Sequence, residues 1–270
     1  MLCAMNTEPR NPNPSGPRPV SIVTGASRGL GLGIARQLLH RGHRVLTLQR
    51  SPNADLAAEC ADLGAALEQW SVDLTEPAAA ATRLQAWVQG LPRAEVASLH
   101  LINNAALLAE PGPVADTDAA SLSAAMRASL EAPMLLTSAF LAASGDFTVP
   151  RKVLNISSGL GRFAMAGSAV YCAAKAGLDH FSRAVALEEA ERPQGARIVS
   201  LAPGVIDTDM QVQLRGADPA RFSSQGRFAG LKAQGQLDSI DAAAAKVLAC
   251  LLAEDFGQKV IADVRDLAQS

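Results

Sequence analysis

Tyr171 and Lys175 are the side chains whose types and spacing point most directly to chemistry. They lie four residues apart at the start of a predicted helix, so both side chains occupy one helical face. A free phenol has a pKa of about 10 and exchanges protons poorly at neutral pH, but a neighbouring ammonium group lowers that pKa. The pair predicts acid–base chemistry by Tyr171, the only tyrosine in the chain, with Lys175 lowering its pKa.

Ser158 strengthens this interpretation over the alternative of an exposed helical pair without a catalytic role. It ends the predicted strand at residues 153–157 and precedes Tyr171 in the chain. The carboxyl ends of strands line the ligand crevice in doubly wound sheets. A hydroxyl at that edge can donate to a substrate carbonyl while Tyr171 delivers the proton.

The glycine-rich segment TGASRGLG at residues 24–31 joins the first predicted strand to the first predicted helix. Glycine permits a tight turn and close approach of the backbone to a pyrophosphate, whose charge the helix N-terminus favours. The spacing is GxxxGxG and differs from the commoner GxGxxG fingerprint. An ordinary turn is the alternative, but the position between strand and helix favours a dinucleotide site.

The end of the second predicted strand reads LQRS at residues 48–51 and has no acidic residue. An NAD-binding fold of this kind places Asp or Glu there to hold the ribose 2′-hydroxyl. Arg50 and Ser51 can instead bind a 2′-phosphate, and Arg28 can flank the same group. These residues favour NADP(H) over NAD(H), with two solvated arginines as the alternative.

Three further segments end strands at the same edge of the sheet. Asp73 and Leu74 are predicted to cap an adenine edge, unless Asp73 is only the N-cap of the helix at Pro77. The NNAA segment at 103–106 offers amides for the backbone or for a cofactor ribose. The turn at 203–208 can press its backbone against a nicotinamide carboxamide.

The elements that position these residues alternate strictly between strand and helix. Short apolar or β-branched runs predict strands at residues 20–23, 44–48, 67–71, 99–103, 153–157, 197–202 and 259–262. Helical spacing of apolar residues predicts helices around residues 34–39 and at 55–63, 77–89, 118–143, 168–190 and 241–253. This alternation predicts an α/β fold: a three-layer, doubly wound Rossmann domain with a seven-stranded parallel sheet in the order 3-2-1-4-5-6-7.

The domain is expected to cover residues 19–270 as a single unit, preceded by a flexible tail at 1–18 that is rich in Pro and Asn. Residues 207–238 interrupt the alternation with four glycines and little periodicity. A stretch of that length is usually functional, so it is interpreted as a lid over the site.

Composition excludes several classes of partner. The 270 residues are 49% hydrophobic and 19% charged with a net charge of −2, which disfavours nucleic acid as a partner. No apolar run reaches membrane-spanning length. Four scattered cysteines without a CxxC pair argue against a disulfide framework or zinc site and suit a cytoplasmic location. The histidines show no ligand spacing, and His40 and His43 are expected on the solvated surface.

Taken together, TGASRGLG, NNAA, YCAAK and PGVIDTDM resemble the short-chain dehydrogenase/reductase family over residues 20 to about 265. Within it the chain is similar to the sepiapterin reductases and to bacterial carbonyl reductases of the benzil type, with matches at 231–237 and near 255–263. The resemblance implies NADPH-dependent reduction of a ketone or 1,2-dicarbonyl by a homodimer or homotetramer. It also implies that Asp263 anchors a substrate; a solvated acid is the alternative.

The motifs and the resemblance together define three sets of site residues. The predicted cofactor-binding residues are Gly25, Ser27, Arg28, Gly29, Leu30, Gly31, Arg50, Ser51, Asp73, Leu74, Asn103, Ala105, Tyr171, Lys175, Pro203, Val205, Ile206 and Thr208. The predicted catalytic residues are Ser158, Tyr171, Lys175 and Ser129, and the predicted substrate contacts are Ser157, Ser158, Tyr171, Gly204 and Asp263. No metal is expected.

Two residues depart from the family pattern. Ala106 replaces the glycine of the usual NNAG, which costs little. Ser129 stands where the family has an asparagine that holds a water between the lysine and bulk solvent. The serine places the proton relay in question, so two alternative functions stay open: a dehydrogenase oxidising an alcohol or sugar, and a dinucleotide-binding sensor with weak catalysis.

Overall fold

A computed structural model describes residues 16–267 of the chain. The expected tail at 1–18 lies outside the described residues except for its last three, and Arg18 already begins the first strand. The strands are β1 (Arg18–Thr24), β2 (Arg44–Gln49), β3 (Ala66–Ser71), β4 (Val96–Asn103), β5 (Arg151–Ile156), β6 (Arg197–Ala202) and β7 (Ile261–Asp263).

The strands form one parallel seven-stranded sheet in the order β3-β2-β1-β4-β5-β6-β7, which confirms the predicted fold. The order reverses between β1 and β4, and the crevice at such a reversal is where doubly wound sheets bind ligands. Every strand therefore contributes its carboxyl end to the same edge.

Helices cover both faces of the sheet and complete the three layers. They are α1 (Gly29–His40), α2 (Ala54–Leu63), α3 (Pro77–Gln89), α4 (Ala119–Met126), α5 (Ala132–Ser144), α6 (Ala169–Ala190), α7 (Asp209–Gly216), α8 (Gln225–Ala233), α9 (Ile240–Leu252) and α10 (Val264–Leu267). Leu38 of α1 and Val247 of α9 are fully buried on one face of the sheet, and Leu84 of α3 and Phe140 of α5 on the other. None of the helices between residues 16 and 267 has the length and apolar character needed to cross a membrane.

The helix predicted at 118–143 is two helices joined by a π-helical turn. α4 and α5 are connected through residues 127–131, where the backbone widens by one residue and carries Ser129. Apolar spacing alone does not reveal such a turn, and π-turns occur frequently at functional sites.

The predicted lid contains more regular structure than its sequence suggests, because α7 and α8 both lie within it. Leu214, Phe222 and Phe228 form a small apolar cluster of their own, and the Phe222 and Phe228 rings stack with centroids 5.7 Å apart. The helices are short and contain glycines, which explains why the sequence shows little periodicity here.

The expectation that His43 lies on the solvated surface is also wrong. His43 is buried, and its Nδ1 lies 2.8 Å from the Ser21 hydroxyl, which also contacts His100 Nδ1 at 3.2 Å. Burial lowers the pKa of His43 to about 4 and that of His100 to about 3. Both rings are therefore neutral members of a polar cluster within the sheet, whereas His40 is exposed and pairs with Glu59.

Candidate active site

The carboxyl edge of the sheet opens into a cavity of about 540 Å³ that the lid helices cover on one side. Most of the predicted site residues line it. These are Gly25, Ser27, Arg28, Gly29, Leu30, Arg50, Asp73, Leu74, Ala105, Ser157, Ser158, Tyr171, Lys175, Pro203, Gly204, Val205, Ile206, Thr208 and Asp263. Gly31, Ser51, Asn103 and Ser129 do not line it.

The glycine loop owes its shape to glycines at three positions. Gly25 and Gly29 have φ angles of 69° and 58°, which side chains rarely tolerate. A Cβ atom on Gly31 would lie 2.3 Å from the Gly25 carbonyl oxygen, so this glycine lets helix α1 pack directly against the loop. Gly31 thus supports the glycine loop from the helix side and does not line the cavity.

Asn104 fastens this loop to the end of β4. Its side-chain amide donates to the Thr24 carbonyl at 2.9 Å and approaches the Gly25 carbonyl at 3.3 Å. The Thr24 hydroxyl in turn accepts from the backbone N–H groups of Asn104 and Ala105. Asn104 is therefore a positioning residue for the loop, which resolves its open role.

Asn103 is directed elsewhere, against the prediction that it binds cofactor. It is buried, and its amide donates to Thr137 Oγ1 at 3.1 Å and to Asn155 Oδ1 at 2.8 Å. Side chains alternate between the two faces of a strand, so consecutive asparagines leave the strand in opposite directions. Asn103 supports the sheet beneath the cavity.

At the β2 end of the cavity, Arg50 is exposed and lines the mouth, with its backbone carbonyl held by the Ser71 hydroxyl at 2.8 Å. Ser51 is exposed but does not line the cavity. No carboxylate follows β2, as the sequence indicated. Arg50 therefore stands where an NAD-binding fold would carry the acid that holds a 2′-hydroxyl.

A network of amides that the sequence analysis missed fixes this end. Gln69 Oε1 accepts from Gln49 Nε2 and from the Asn53 backbone N–H, both at 2.8 Å. Gln69 Nε2 donates back to the Asn53 carbonyl at 2.9 Å, and Asn53 Nδ2 reaches the Ser27 carbonyl at 3.0 Å. The network joins the edge strand β3 to the glycine loop through the segment that carries Arg50. Only the register between β2 and β3, which pairs Leu48 with Trp70, brings these amides together.

Arg28 reaches across the cavity instead of lying beside Arg50. Its guanidinium pairs with Asp209 of α7 at 2.8 Å, and both side chains are largely exposed. The pair links the glycine loop to the lid.

Asp73 does not cap α3, since Glu76 occupies the N-cap position. Its carboxylate accepts from the backbone N–H and hydroxyl of Thr75, both at 2.9 Å. These hydrogen bonds, helped by the more distant Arg50, lower the pKa of Asp73. The alternative of an N-cap is wrong, and Asp73 with the buried Leu74 borders the cavity.

Ser158, Tyr171 and Lys175 meet where β5 and α6 approach each other. The Lys175 ammonium is buried, donates to the Ile156 carbonyl at 2.7 Å and lies 5.6 Å from the Tyr171 ring centroid. The Ser158 oxygen accepts from the Leu160 N–H at 3.2 Å, which leaves its own hydrogen for another acceptor. The three groups share one wall of the cavity, as predicted.

The electrostatics of this group differ from the prediction that Lys175 lowers the pKa of Tyr171. Burial raises the pKa of Tyr171 to about 12, against an opposing hydrogen bond with Ser158. Burial also lowers the pKa of Lys175 to about 8, although Asp179 opposes that shift. In the protein by itself, desolvation is the dominant effect on Tyr171, which is a neutral phenol with its proton in place.

Ser129 is buried in the π-helical turn, behind the cavity wall. Its hydroxyl accepts from the Leu107 N–H at 3.0 Å and donates to the Leu107 carbonyl at 3.2 Å. Leu107 itself lines the cavity. The observed contacts of Ser129 hold a wall segment, and a role in proton relay remains a prediction.

Asp263 ends β7 and is buried, so the alternative of a solvated acid is wrong. Its Oδ1 accepts from the Arg265 backbone N–H at 3.0 Å and from Arg265 Nε at 2.8 Å, while Oδ2 accepts from Arg265 Nη2 at 2.6 Å. Arg265 is the main cause of a lowered pKa for Asp263, and Arg162 adds to it. The carboxylate faces the cavity with a guanidinium already bound.

Three buried polar atoms of lining residues have no hydrogen-bond partner within residues 16–267: Gln49 Oε1, Ser157 Oγ and Gln211 Oε1. Leaving a buried polar atom unpaired costs about 1–3 kcal/mol. Gln49 belongs to β2 and Gln211 to α7, so these atoms lie on different sides of the cavity. Together with the glycine loop they fit an elongated polar ligand such as a nicotinamide dinucleotide.

A parallel sheet with its glycine loop and its Ser, Tyr and Lys side chains in one crevice defines a dinucleotide-binding α/β enzyme. Comparison with known proteins agrees: the family model for short chain dehydrogenase matches residues 19–218. This chain belongs to the short-chain dehydrogenase/reductase family of oxidoreductases, whose members bind a nicotinamide dinucleotide.

Two curated relatives and one solved structure are informative. The chain is 35% identical to a benzil reductase ((S)-benzoin forming) of Bacillus cereus, with 88% of this chain and 95% of the relative covered. It is 34% identical to the sepiapterin reductase of Mus musculus, with 92% and 97% covered. A short-chain dehydrogenase/reductase structure from Burkholderia vietnamiensis is 34% identical, with 93% and 99% covered and a TM-score of 0.61.

Proposed function

We propose that the chain reduces a ketone or 1,2-dicarbonyl with NADPH as the hydride source. The observation that carries the proposal is that Ser158, Tyr171 and Lys175 line the same cavity as the glycine loop. Reduction of a carbonyl needs a proton donor, and a phenol with a pKa near 12 holds its proton at neutral pH.

In the proposed reaction Ser158 donates a hydrogen bond to the substrate carbonyl oxygen and makes the carbonyl carbon more electrophilic. A nicotinamide dinucleotide held by the glycine loop would supply the hydride to that carbon. Tyr171 gives its proton to the oxygen as negative charge develops there, and the Lys175 ammonium stabilises the phenolate that remains. In the proposal Lys175 also holds the nicotinamide ribose.

NADPH is proposed over NADH because Arg50 lines the β2 end of the cavity and no acid follows that strand. A guanidinium forms charge-assisted hydrogen bonds with a phosphate, whereas a 2′-hydroxyl needs an acceptor that this segment lacks. The amide network through Gln69 and Asn53 supports the same preference, because it fixes the segment that carries Arg50.

The proposed substrate class is supported by apolar residues that line the cavity together with the reacting groups. Leu160, Phe163, Met165 and Phe228 supply this surface. Such walls bind the hydrocarbon part of an aryl or alkyl ketone. The likeness to a benzil reductase and a sepiapterin reductase supports carbonyl reduction in particular.

The proposal includes a homodimer or homotetramer in the cytoplasm. The family resemblance supports the oligomer, and the cysteine pattern supports the compartment. Size-exclusion chromatography with light scattering tests the oligomer; a monomer at micromolar concentration contradicts it.

The decisive experiment is a panel of ketones, 1,2-dicarbonyls and alcohols assayed with NADPH, NADH and their oxidised forms. We expect carbonyl reduction with NADPH to be fastest and to decline as pH rises through about 8, since Lys175 then loses its proton. Faster alcohol oxidation would favour the dehydrogenase alternative. NADPH binding without turnover of any substrate would favour the sensor.

A further inference from the structure

The wall of the cavity at β7 carries a positively charged side chain, that of Arg265. Arg265 lines the cavity, and its side chain is 70% exposed, although the Asp263 carboxylate beneath it is buried. The carboxylate engages Arg265 through Nε and Nη2. Among the described residues, Nη1 of Arg265 has no protein partner. One edge of the guanidinium is thus held while its other donors are available.

A chain of charges behind Arg265 keeps this arrangement in place. Arg162 Nη1 lies 3.8 Å from Asp263 Oδ2, and its Nη2 donates to the Ala262 carbonyl at 2.8 Å. Arg162 Nε contacts the buried Asp179 at 3.3 Å, and Asp179 accepts from the Ser200 hydroxyl at 2.6 Å. Two carboxylates and two guanidiniums balance each other, and Asp263 and Arg265 are the members that line the cavity.

This arrangement decides what Asp263 can do. A buried carboxylate with both oxygens bound by a guanidinium has little capacity left to accept hydrogen bonds from a substrate. The group that meets the substrate is therefore a fixed donor. A guanidinium held along one edge is preorganised for an oxygen acceptor, and less entropy is lost when it binds one.

We propose that Arg265 binds a second oxygen of the substrate, next to the reacting carbonyl, and so selects carbonyl compounds with an adjacent oxygen acceptor. This inference rests on the proposed function. The acceptor is the second carbonyl of a 1,2-dicarbonyl or the carboxylate of a 2-oxo acid, and both offer the same geometry. The apolar walls at Leu160 and Phe163 hold the remainder of the molecule.

The test compares three substrates with a common phenyl group: 1-phenyl-1,2-propanedione, phenylglyoxylate and propiophenone. In Arg265→Leu we expect KM for the first two to rise about tenfold or more, the effect of losing a hydrogen bond to a charged group. KM for propiophenone and for NADPH should stay within about twofold. Phenylglyoxylate should lose more than the neutral diketone, because its acceptor is charged.

Further variants separate recognition from folding. Asp266 lies on the same short helix as Arg265 and pairs with Lys259 at the surface. Asp266→Asn should leave KM for all three substrates unaffected. Asp263→Asn combined with Arg265→Leu avoids an unpaired buried carboxylate and should reproduce the selective loss. Arg227 is another exposed cation that lines the cavity, and a selective loss in Arg227→Leu instead of Arg265→Leu would overturn the role of Arg265.

Binding of phenylglyoxylate, measured by calorimetry in the presence of NADPH analogues that transfer no hydride, gives a readout independent of turnover. Wild-type binding that Arg265→Leu abolishes supports the inference even where turnover is slow. Equal changes for all three substrates, or none, would overturn it. Absence of turnover of every carbonyl, with selective binding retained, would overturn the proposed function alone.

Discussion

The two ends of the cavity are built by different means. At the β2 end, neutral amides of Gln49, Asn53 and Gln69 hold short loops against the glycine turn. At the β7 end, the chain of ion pairs through Asp263 and the apolar lid cluster join segments distant in sequence. The β2 end, where we propose that the nucleotide binds, is thus shaped by local turns on adjacent strands. The β7 end, where we propose that the substrate binds, is shaped by long-range charge and packing. The β2 end suits a ligand that is the same in every relative. The β7 end allows the substrate to differ between relatives that share one scaffold.

The largest effect that separates the two ends is expected from Tyr171→Phe. The change removes one hydroxyl, the proton donor, so turnover should fall between about 100- and 10 000-fold. The Kd for NADPH, measured by fluorescence titration, should be nearly unchanged, since the β2 end is untouched. Cys172→Ser is the control on the neighbouring residue. Retained turnover in Tyr171→Phe would contradict the mechanism.

Acid is expected to destabilise the fold through His43, which lies buried beside Ser21 of β1. His43 has a pKa of about 4 when folded against an ordinary 6.5, so the unfolded chain takes up a proton from about pH 6.5 downward while the folded chain does not. The contribution of neutral His43 to the free energy of unfolding is therefore fully present above pH 6.5. It should fall by about 3 kcal/mol by pH 4 from this residue alone.

Urea unfolding at several pH values measures this loss. His43→Gln should make the free energy of unfolding depend less steeply on pH between pH 6.5 and 4. It should also lower the stability at pH 7, because it disturbs the contact with Ser21. His40→Gln, at an exposed histidine, should leave the slope unchanged. An unaltered slope in His43→Gln would mean that another group governs acid unfolding.

These outcomes also measure how far sequence reasoning reaches. The strand order, the glycine turn and the Ser158, Tyr171 and Lys175 group followed from local patterns, because period, glycine spacing and strand ends are written in consecutive residues. The direction in which the pKa of Tyr171 shifts could not be predicted from the sequence, because it depends on how much solvent the fold excludes. Strand register brings Gln69 to Asn53, and no local pattern encodes that contact.

The same limit explains the errors elsewhere. His43 was expected at the surface because it follows a helix end, yet the next strand begins there and carries it into the sheet beside Ser21. Asn103 and Asn104 look equivalent in sequence, but only Asn104 holds the glycine loop. Asp263 pairs with a residue two positions away, and the burial that makes this pairing persistent is a property of the whole fold.

Cofactor choice is the next effect in size. Arg50→Asp replaces attraction to a 2′-phosphate by repulsion, so KM for NADPH should rise about tenfold or more while KM for NADH changes little. Arg41→Asp makes the same charge change on an exposed residue away from the cavity and serves as control. Equal weakening of both cofactors would show that Arg50 does not read the 2′ position.

The smallest effect concerns the Arg28–Asp209 pair, which links the two ends. An exposed ion pair contributes at most about 1 kcal/mol, so Asp209→Asn should change binding only a few-fold. If Arg28 is released to the 2′-phosphate, as its position in the glycine loop predicts, KM for NADPH should fall about two- to threefold and KM for NADH should not. The difference should shrink at high salt, because exposed charges are screened.

Asp146→Asn is the matched control for this last change, since it removes an exposed partner of Arg93 away from the cavity. It should leave both cofactors unaffected. A rise in KM for NADPH and NADH alike in Asp209→Asn would instead mean that the pair holds the lid over the glycine loop. In that case the two ends are coupled through Arg28, and the lid, besides shaping the substrate end, contributes to retention of the dinucleotide.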